Sequence, residues 1–180
     1  MKKEYRITVK LLSSMHINAG SAPDSKRIVV KENGAPYIPA TLMKGLVRDK
    51  FNVLISTFAP DKKAVTETFF GSEGYNRSHV IFDNLLTEQE YIYETRSNVS
   101  ISRYTRKNTD QALVFSENVS CFDKNGDMLI FSGDVTVYMN DAMKAYESFF
   151  TEAVRMIDSV GSGKSRGLGL TEVSIDEKTC

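Results

Sequence analysis

Two segments of this chain carry apolar side chains at helical spacing, and each is bracketed by segments in which apolar and polar residues alternate. Few folds satisfy that order. Tyr5, Ile7, Val9 and Leu11 fall on one face while Arg6, Thr8 and Lys10 fall on the other, the period-two pattern of a half-buried strand. From Thr41 onward Met43, Val47, Phe51, Leu54 and Phe58 recur at three- and four-residue steps, with Pro39 placed to start a helix. SHVIFDNLL (78–86) reads as a second strand. LVFSENVSCF and DMLIFSGDVTVYM flank a hairpin turn at 123–126, with Gly133 as a bulge in the second of the two strands. Asn140 or Asp141 caps a second helix, whose stripe is Ala142, Ala145, Tyr146, Phe149, Ala153, Met156, Ile157 and Val160. LTEVSI (170–175) is the final strand.

The order strand, helix, strand, excursion, strand, helix, strand predicts an α+β fold of the ferredoxin-like or RNA-recognition type. In this split βαβ an antiparallel sheet carries two helices on one face. Two stretches stand outside it. An inserted loop over about 13–39 has no periodicity from Ser13 to Arg27 and then a small hairpin signal at Asn33-Gly34. A polar, arginine-rich stretch within about 90–112 reads as a thumb-like excursion. With 180 residues, 41% of them hydrophobic, the chain suits one domain, 1–180.

Charge narrows the partners. Lys+Arg and Asp+Glu are both 23, so any polyanion has to be held by a local patch. Cys121 and Cys180 have neither disulfide-framework nor zinc spacing, and no apolar run is long enough to cross a bilayer. A cytoplasmic protein without membrane partners is expected.

The loop GSGKSRGLGL (161–170) is the strongest local signal. Glycine-rich backbone with cations suits close approach to phosphates. Gly163-Lys164-Ser165 is not a P-loop: Asp158 stands where that motif needs its first glycine, and the loop leaves a helix and enters a strand. A helix end followed by a tight turn needs about one glycine rather than Gly161, Gly163, Gly167 and Gly169 together.

Three stretches in order, MHINAGSAPDSKRIVVKENGAPYIPATLMKGLVRDKF, TFFGSEGYNRSHVIFDNLL and GSGKSRGLGL, resemble the hallmarks of the RAMP superfamily of CRISPR-associated proteins. More narrowly they resemble the backbone subunit of type III effector complexes. In that pattern a Pro-Tyr-Ile-Pro run, here Pro36 to Pro39, leads into a helix bearing Thr41, Lys44, Gly45 and Arg48, with Ala40-Thr41 in place of the family's usual Gly-Ser.

The resemblance implies a subunit that binds guide CRISPR RNA along a self-associated filament with other CRISPR effector subunits and cuts complementary target RNA. The matching residue for cutting is Asp24, twelve residues before Pro36, aided by a divalent metal ion, Mg or Mn, whose ligands it does not specify. On sequence alone an aspartate beside Pro23 and Ser25 is more often just an Asx-turn former. RNA contacts are implied for His16, Asn18, Thr41, Lys44, Arg48, Arg96, Arg103, Arg106, Gly163, Lys164, Ser165 and Arg166. Without the family pattern, Lys44 and Arg48 at i, i+4 read as a solvated helix face, and Arg96, Arg103 and Arg106 with Tyr104 as a polar loop. The alternatives are a non-cutting architectural RAMP subunit and a metal-independent guide-processing endoribonuclease using His16 as proton carrier.

Overall fold

In the computed structural model, described for residues 1–21, 26–62, 64–74 and 76–178, alternation at the N-terminus becomes β1 (Lys2–Leu11), the centre of the main sheet. Tyr5, Ile7, Val9 and Leu11 are all buried on one side of it. The chain then runs through β2 (Asn18–Ser21), β3 (Arg27–Val29), β4 (Lys31–Glu32) and β5 (Ala35–Pro36) to α1 (Ala40–Phe58) and α2 (Ala64–Phe70). Next come β6 (Val80–Phe82), β7 (Tyr93–Ile101), β8 (Asn108–Val119), β9 (Ile130–Tyr138), α3 (Asp141–Lys144), α4 (Glu147–Arg155) and β10 (Thr171–Glu177).

The main sheet has the order β10-β1-β9-β6, antiparallel throughout. Numbering its four strands in sequence gives 4-1-3-2, the split βαβ arrangement that the sequence pattern predicts. Helices α1 and α4 cover the face carrying Tyr5. An aromatic cluster binds the layers: Phe51 of α1 lies 4.9 Å from Phe69 of α2, Phe69 lies 6.1 Å from Phe150 of α4, and Phe150 lies 5.9 Å from Tyr5.

Pro39 does start α1, its carbonyl accepting from Leu42 and Met43, while the N–H of Ala40 donates to the Asn84 side chain at 2.9 Å. That cross-strand cap supplies one of the partners a helix start lacks. The buried stripe is Met43, Val47, Phe51 and Ile55. Phe58, expected in it, is 68% exposed, its ring 6.2 Å from that of Phe149.

The second helix departs further. Asn140 caps it by accepting from the N–H of Met143 at 3.0 Å, as expected, but the helix breaks at Ala145-Tyr146 into α3 and α4. The break shifts the phase, so Met143, Phe150 and Val154 turn inward in place of Ala142, Tyr146 and Phe149, while Ala153 and Ile157 are buried as expected. Val160, expected at the end of the helical stripe, lies beyond it, next to Ser159, which bridges to Leu170.

Gly133 is not a bulge. Register along β9 is continuous against β1, pairing Ile7 with Gly133. The extra residue sits opposite, where the continuation of β6 places Asp83, Asn84 and Leu85 between the Phe82–Val135 and Leu86–Ser132 pairs. A Cβ on Gly133 would stand 2.8 Å from the Asn84 carbonyl oxygen, so glycine makes room for its neighbour's bulge.

The two excursions join in a second sheet of order β2-β3-β8-β7. The thumb-like stretch is a long hairpin of β7 and β8 pairing Tyr93 with Val119 through Val99 with Leu113. The inserted loop supplies β2 and β3, and Arg27 pairs in parallel with Ser116 of β8. The Asn33-Gly34 turn is pinned to the hairpin base by the hydroxyls of Tyr91 and Tyr93, which donate to the Gly34 carbonyl at 3.2 and 3.3 Å.

Candidate nucleic-acid interface

The glycine loop is tied down residue by residue. Ser162 donates its backbone N–H to the carbonyl of His16 at 2.8 Å, Gly169 donates to Ser14 at 2.9 Å, and Leu12 donates to Leu170 at 2.8 Å. The segment leaving β1 and the segment entering β10 are thus zipped together at the end of the sheet where both strands meet. Between them Lys164–Arg166 form one 3₁₀ turn, flanked by Gly163 at φ 82° and Gly167 at φ 77°. This is no helix N-terminus, in keeping with the sequence argument against a P-loop.

The four glycines have separate reasons. A Cβ on Gly161 would lie 2.5 Å from the His16 carbonyl oxygen, one on Gly163 2.9 Å from Leu168, and one on Gly169 would land on the carbonyl oxygen of Val160. Only Gly167 faces open space. The expectation that packing accounts for about one of them is therefore wrong: three are fixed by close approach of the chain to itself.

What the loop builds is a cavity of about 270 Å³ between itself, the segment after β1 and the hairpin. Its cations are Arg27 from β3, Arg96 from β7 and Arg166 from the loop; His16, Ser116, Ser162 and Ser165 add polar atoms, and among the described residues its lining contains no carboxylate. Arg96 and Asn98 share a face of the hairpin with their cross-strand partners Ser116 and Val114. Arg96 also donates to the Arg166 carbonyl at 3.4 Å, linking hairpin to loop. His16 is 3% exposed, its Nδ1 donating to the Glu117 carbonyl oxygen at 2.6 Å.

The other sequence-assigned residues divide by place. Lys44 and Arg48 line a different, wide opening of about 800 Å³ with Glu67, Gly71, Glu73, Asn76 and Ser78, and it shares no described lining residue with the cavity above. Burial, and then the neighbouring charge of Arg48, hold the Lys44 ammonium below its usual value. Thr41 is exposed on the first turn of α1. Asn18 begins β2, its side chain accepting from Gly20 at 3.1 Å. Lys164 is exposed on the 3₁₀ turn and acts with Lys50 on Asp158, whose carboxyl is held below the usual range first by the Ser159 hydroxyl. Arg103 and Arg106 sit with the fully exposed Tyr104 at the hairpin tip, about 20 Å along the strand from Arg96. Asp24 lies outside the described residues, between Ser21 of β2 and Arg27 of β3. Among the described residues no group of three His, Cys, Asp or Glu side chains is arranged to hold a metal ion.

Arg27, Asn98, Ser116 and Ser162 are lining residues that sequence reasoning missed. For Arg27, Asn98 and Ser116 the signal is strand pairing, which no local spacing carries, while Ser162 lies in the glycine loop itself.

By contrast, the open face of the main sheet is charge-paired. Asp134 accepts from Arg6 and from Lys178 at 2.5 Å, and Lys10 lies 3.5 Å from Glu172. Cations are neutralised there by neighbouring carboxylates, whereas among the described residues none pairs with the cations of the cavity.

Fold and site together define a ferredoxin-like α+β domain with a long β-hairpin and a cation-lined cleft at its base. The chain belongs to the RAMP superfamily, whose family model matches residues 8–172. Among solved structures it is similar to a chain of the Type III-B Cmr-beta complex bound to cognate target RNA, at TM-score 0.74, 11% identity and 97% coverage of each chain. A chain of the apo state of Type III-B Cmr-beta is comparable, at TM-score 0.73, 11% identity and 96% coverage of each. No curated protein sequence matches the chain. Among the described residues no helix is long and apolar enough to cross a membrane.

Proposed function

We propose that the protein is an RNA-binding backbone subunit of a type III CRISPR effector complex in the cytoplasm, lying along guide RNA beside further copies of itself and other effector subunits. One observation carries this reading: in a chain of zero formal charge, Arg27, Arg96 and Arg166 converge on one cavity whose lining, among the described residues, holds no carboxylate. Cations converging in this way suit a phosphate backbone. Membership of the RAMP superfamily and likeness in fold to a chain of an RNA-bound type III-B complex support it.

The wide opening at Lys44 and Arg48 extends the surface available to a strand, and the hairpin tip with Tyr104 offers an aromatic and cations to unstacked bases. The outward hairpin face exposes Val99, Ile101, Leu113 and Phe115, apolar area suited to a neighbouring subunit in a head-to-tail filament.

Cutting of complementary target RNA through Asp24, with Mg or Mn, belongs to the same reading. The described residues contain no resident metal site, so no step is drawn through one. The test is the assembled complex with labelled target: cleavage abolished by Asp24→Ala and by chelation, with binding kept, supports it. A target bound but intact in magnesium and in manganese marks a non-cutting architectural subunit instead. For binding, affinity for a short RNA should fall with salt at a slope of roughly −2 for three phosphate contacts. A slope near zero contradicts the reading.

A further inference from the structure

His16 holds a buried polar atom that no described residue satisfies. Its Nδ1 lies 2.6 Å from the Glu117 carbonyl oxygen, while Nε2 is buried without a partner. A carbonyl oxygen only accepts, so Nδ1 carries the proton, and on the neutral ring Nε2 is a bare acceptor. Buried acceptors are costly to leave unpaired.

Three donors of the lining are committed to backbone carbonyls. The Ser162 hydroxyl donates to the His16 carbonyl, the Ser116 hydroxyl to the Arg96 carbonyl, and Arg96 to the Arg166 carbonyl. A phosphate cannot supply the missing bond, because its oxygens accept. Within a bound RNA strand the sugar can: the 2′-hydroxyl both donates and accepts, and it is the group DNA lacks.

We propose that His16 Nε2 accepts a hydrogen bond from the 2′-hydroxyl of a ribose seated in the cavity, and that His16 thereby selects RNA over DNA. This rests on the cavity being an RNA site. Arg27, Arg96 and Arg166 hold phosphates there and are indifferent to the sugar; the fixed tautomer of His16 reads it. In the free protein Nε2 is closed to solvent. Ser165 and Arg166, which line the same cavity, carry exposed side chains that have to shift for the ribose to reach Nε2, while Ser162 stays tied to the His16 carbonyl.

The experiment compares a labelled oligouridylate with its 2′-deoxy and 2′-O-methyl counterparts by fluorescence anisotropy at one salt concentration. The methyl ether still accepts but cannot donate. The wild-type protein should bind the oligouridylate roughly tenfold more tightly than either counterpart, the worth of one buried hydrogen bond. His16→Phe should bring the ratio close to one by weakening RNA binding while leaving the 2′-deoxy strand unaffected. His16→Gln, which keeps an acceptor, should retain part of the preference. Equal wild-type affinity for all three strands overturns the role of His16 and leaves the cavity as an RNA site, and needs no variant to fold. A preference that persists in His16→Phe overturns it as well. No measurable affinity for any strand overturns the RNA reading of the cavity together with the inference.

Discussion

Substituting Gly169 and Gly167 by alanine, one at a time, separates packing from conformational freedom within a single loop. Both glycines have left-handed backbone, at φ 72° and 77°. A Cβ on Gly167 meets nothing within 4 Å, whereas one on Gly169 lands on the carbonyl oxygen of Val160. That oxygen is backbone and cannot rotate aside, and the contact is locked by the Val160 N–H donating to the Gly169 carbonyl at 2.8 Å. Gly167→Ala therefore costs only the left-handed penalty, about 1 kcal/mol, or roughly 2–4 °C in Tm for a domain of this size. Gly169→Ala adds an overpacking cost of similar or greater size, for a total of about 3 kcal/mol and roughly 6–12 °C. Thermal unfolding followed by circular dichroism reads both. Because Gly169 also donates to Ser14, its substitution should shift Arg166 relative to His16 and weaken RNA binding, while Gly167→Ala leaves it unchanged. Equal Tm losses for the two variants would refute the reasoning.

Arg96→Ala and Arg166→Ala should each lower RNA affinity across sequences and reduce the salt slope by roughly 0.7, read by anisotropy titrations at several salt concentrations. Lys44→Met should raise Tm at neutral pH while weakening RNA binding. Burial and Arg48 depress the ammonium's pKa, so the charged form costs stability until pH climbs through the folded value towards the unfolded one. In Glu147, burial pushes the carboxyl up, but hydrogen bonds from Lys3 at 2.5 Å and Tyr5 at 2.6 Å outweigh it and hold it below the usual range. The stability this group contributes is present above its unfolded pKa and lost as pH falls through its folded one. Glu147→Gln should cost roughly 1 kcal/mol at pH 7, with urea midpoints converging on wild type in acid.

The main sheet was readable because each strand buries one face, which writes period two into the sequence; β1, with Tyr5, Ile7, Val9 and Leu11 inward, is the clearest case. The hairpin of β7 and β8 was not, because Arg96, Ser97, Val99 and Ile101 of β7 are all exposed and the strands carry polar residues where alternation would show. The second helix was found but misphased, since the break at Tyr146 leaves no proline or glycine as a sign. For the site, the glycine loop announced itself by composition, yet composition could not distinguish Gly167 from the three glycines that the fold itself requires. Nor could helical spacing say that Lys44 and Arg48 open onto Gly71, Asn76 and Ser78 rather than onto the glycine loop. Arg27 met Arg96 only because a parallel pairing brought β3 against β8.

The central claim is that a ribose-phosphate strand lies against the glycine loop, His16 and the hairpin base. Photo-crosslinking a 4-thiouridine-labelled RNA to the protein and sequencing the modified peptides tests it most directly. The account predicts crosslinks in the peptides carrying His16 and Arg27, Arg96 and Asn98, and Ser162–Arg166. Crosslinks confined to the open sheet face around Arg6, Lys10 and Asp134, with none at the loop, would contradict it.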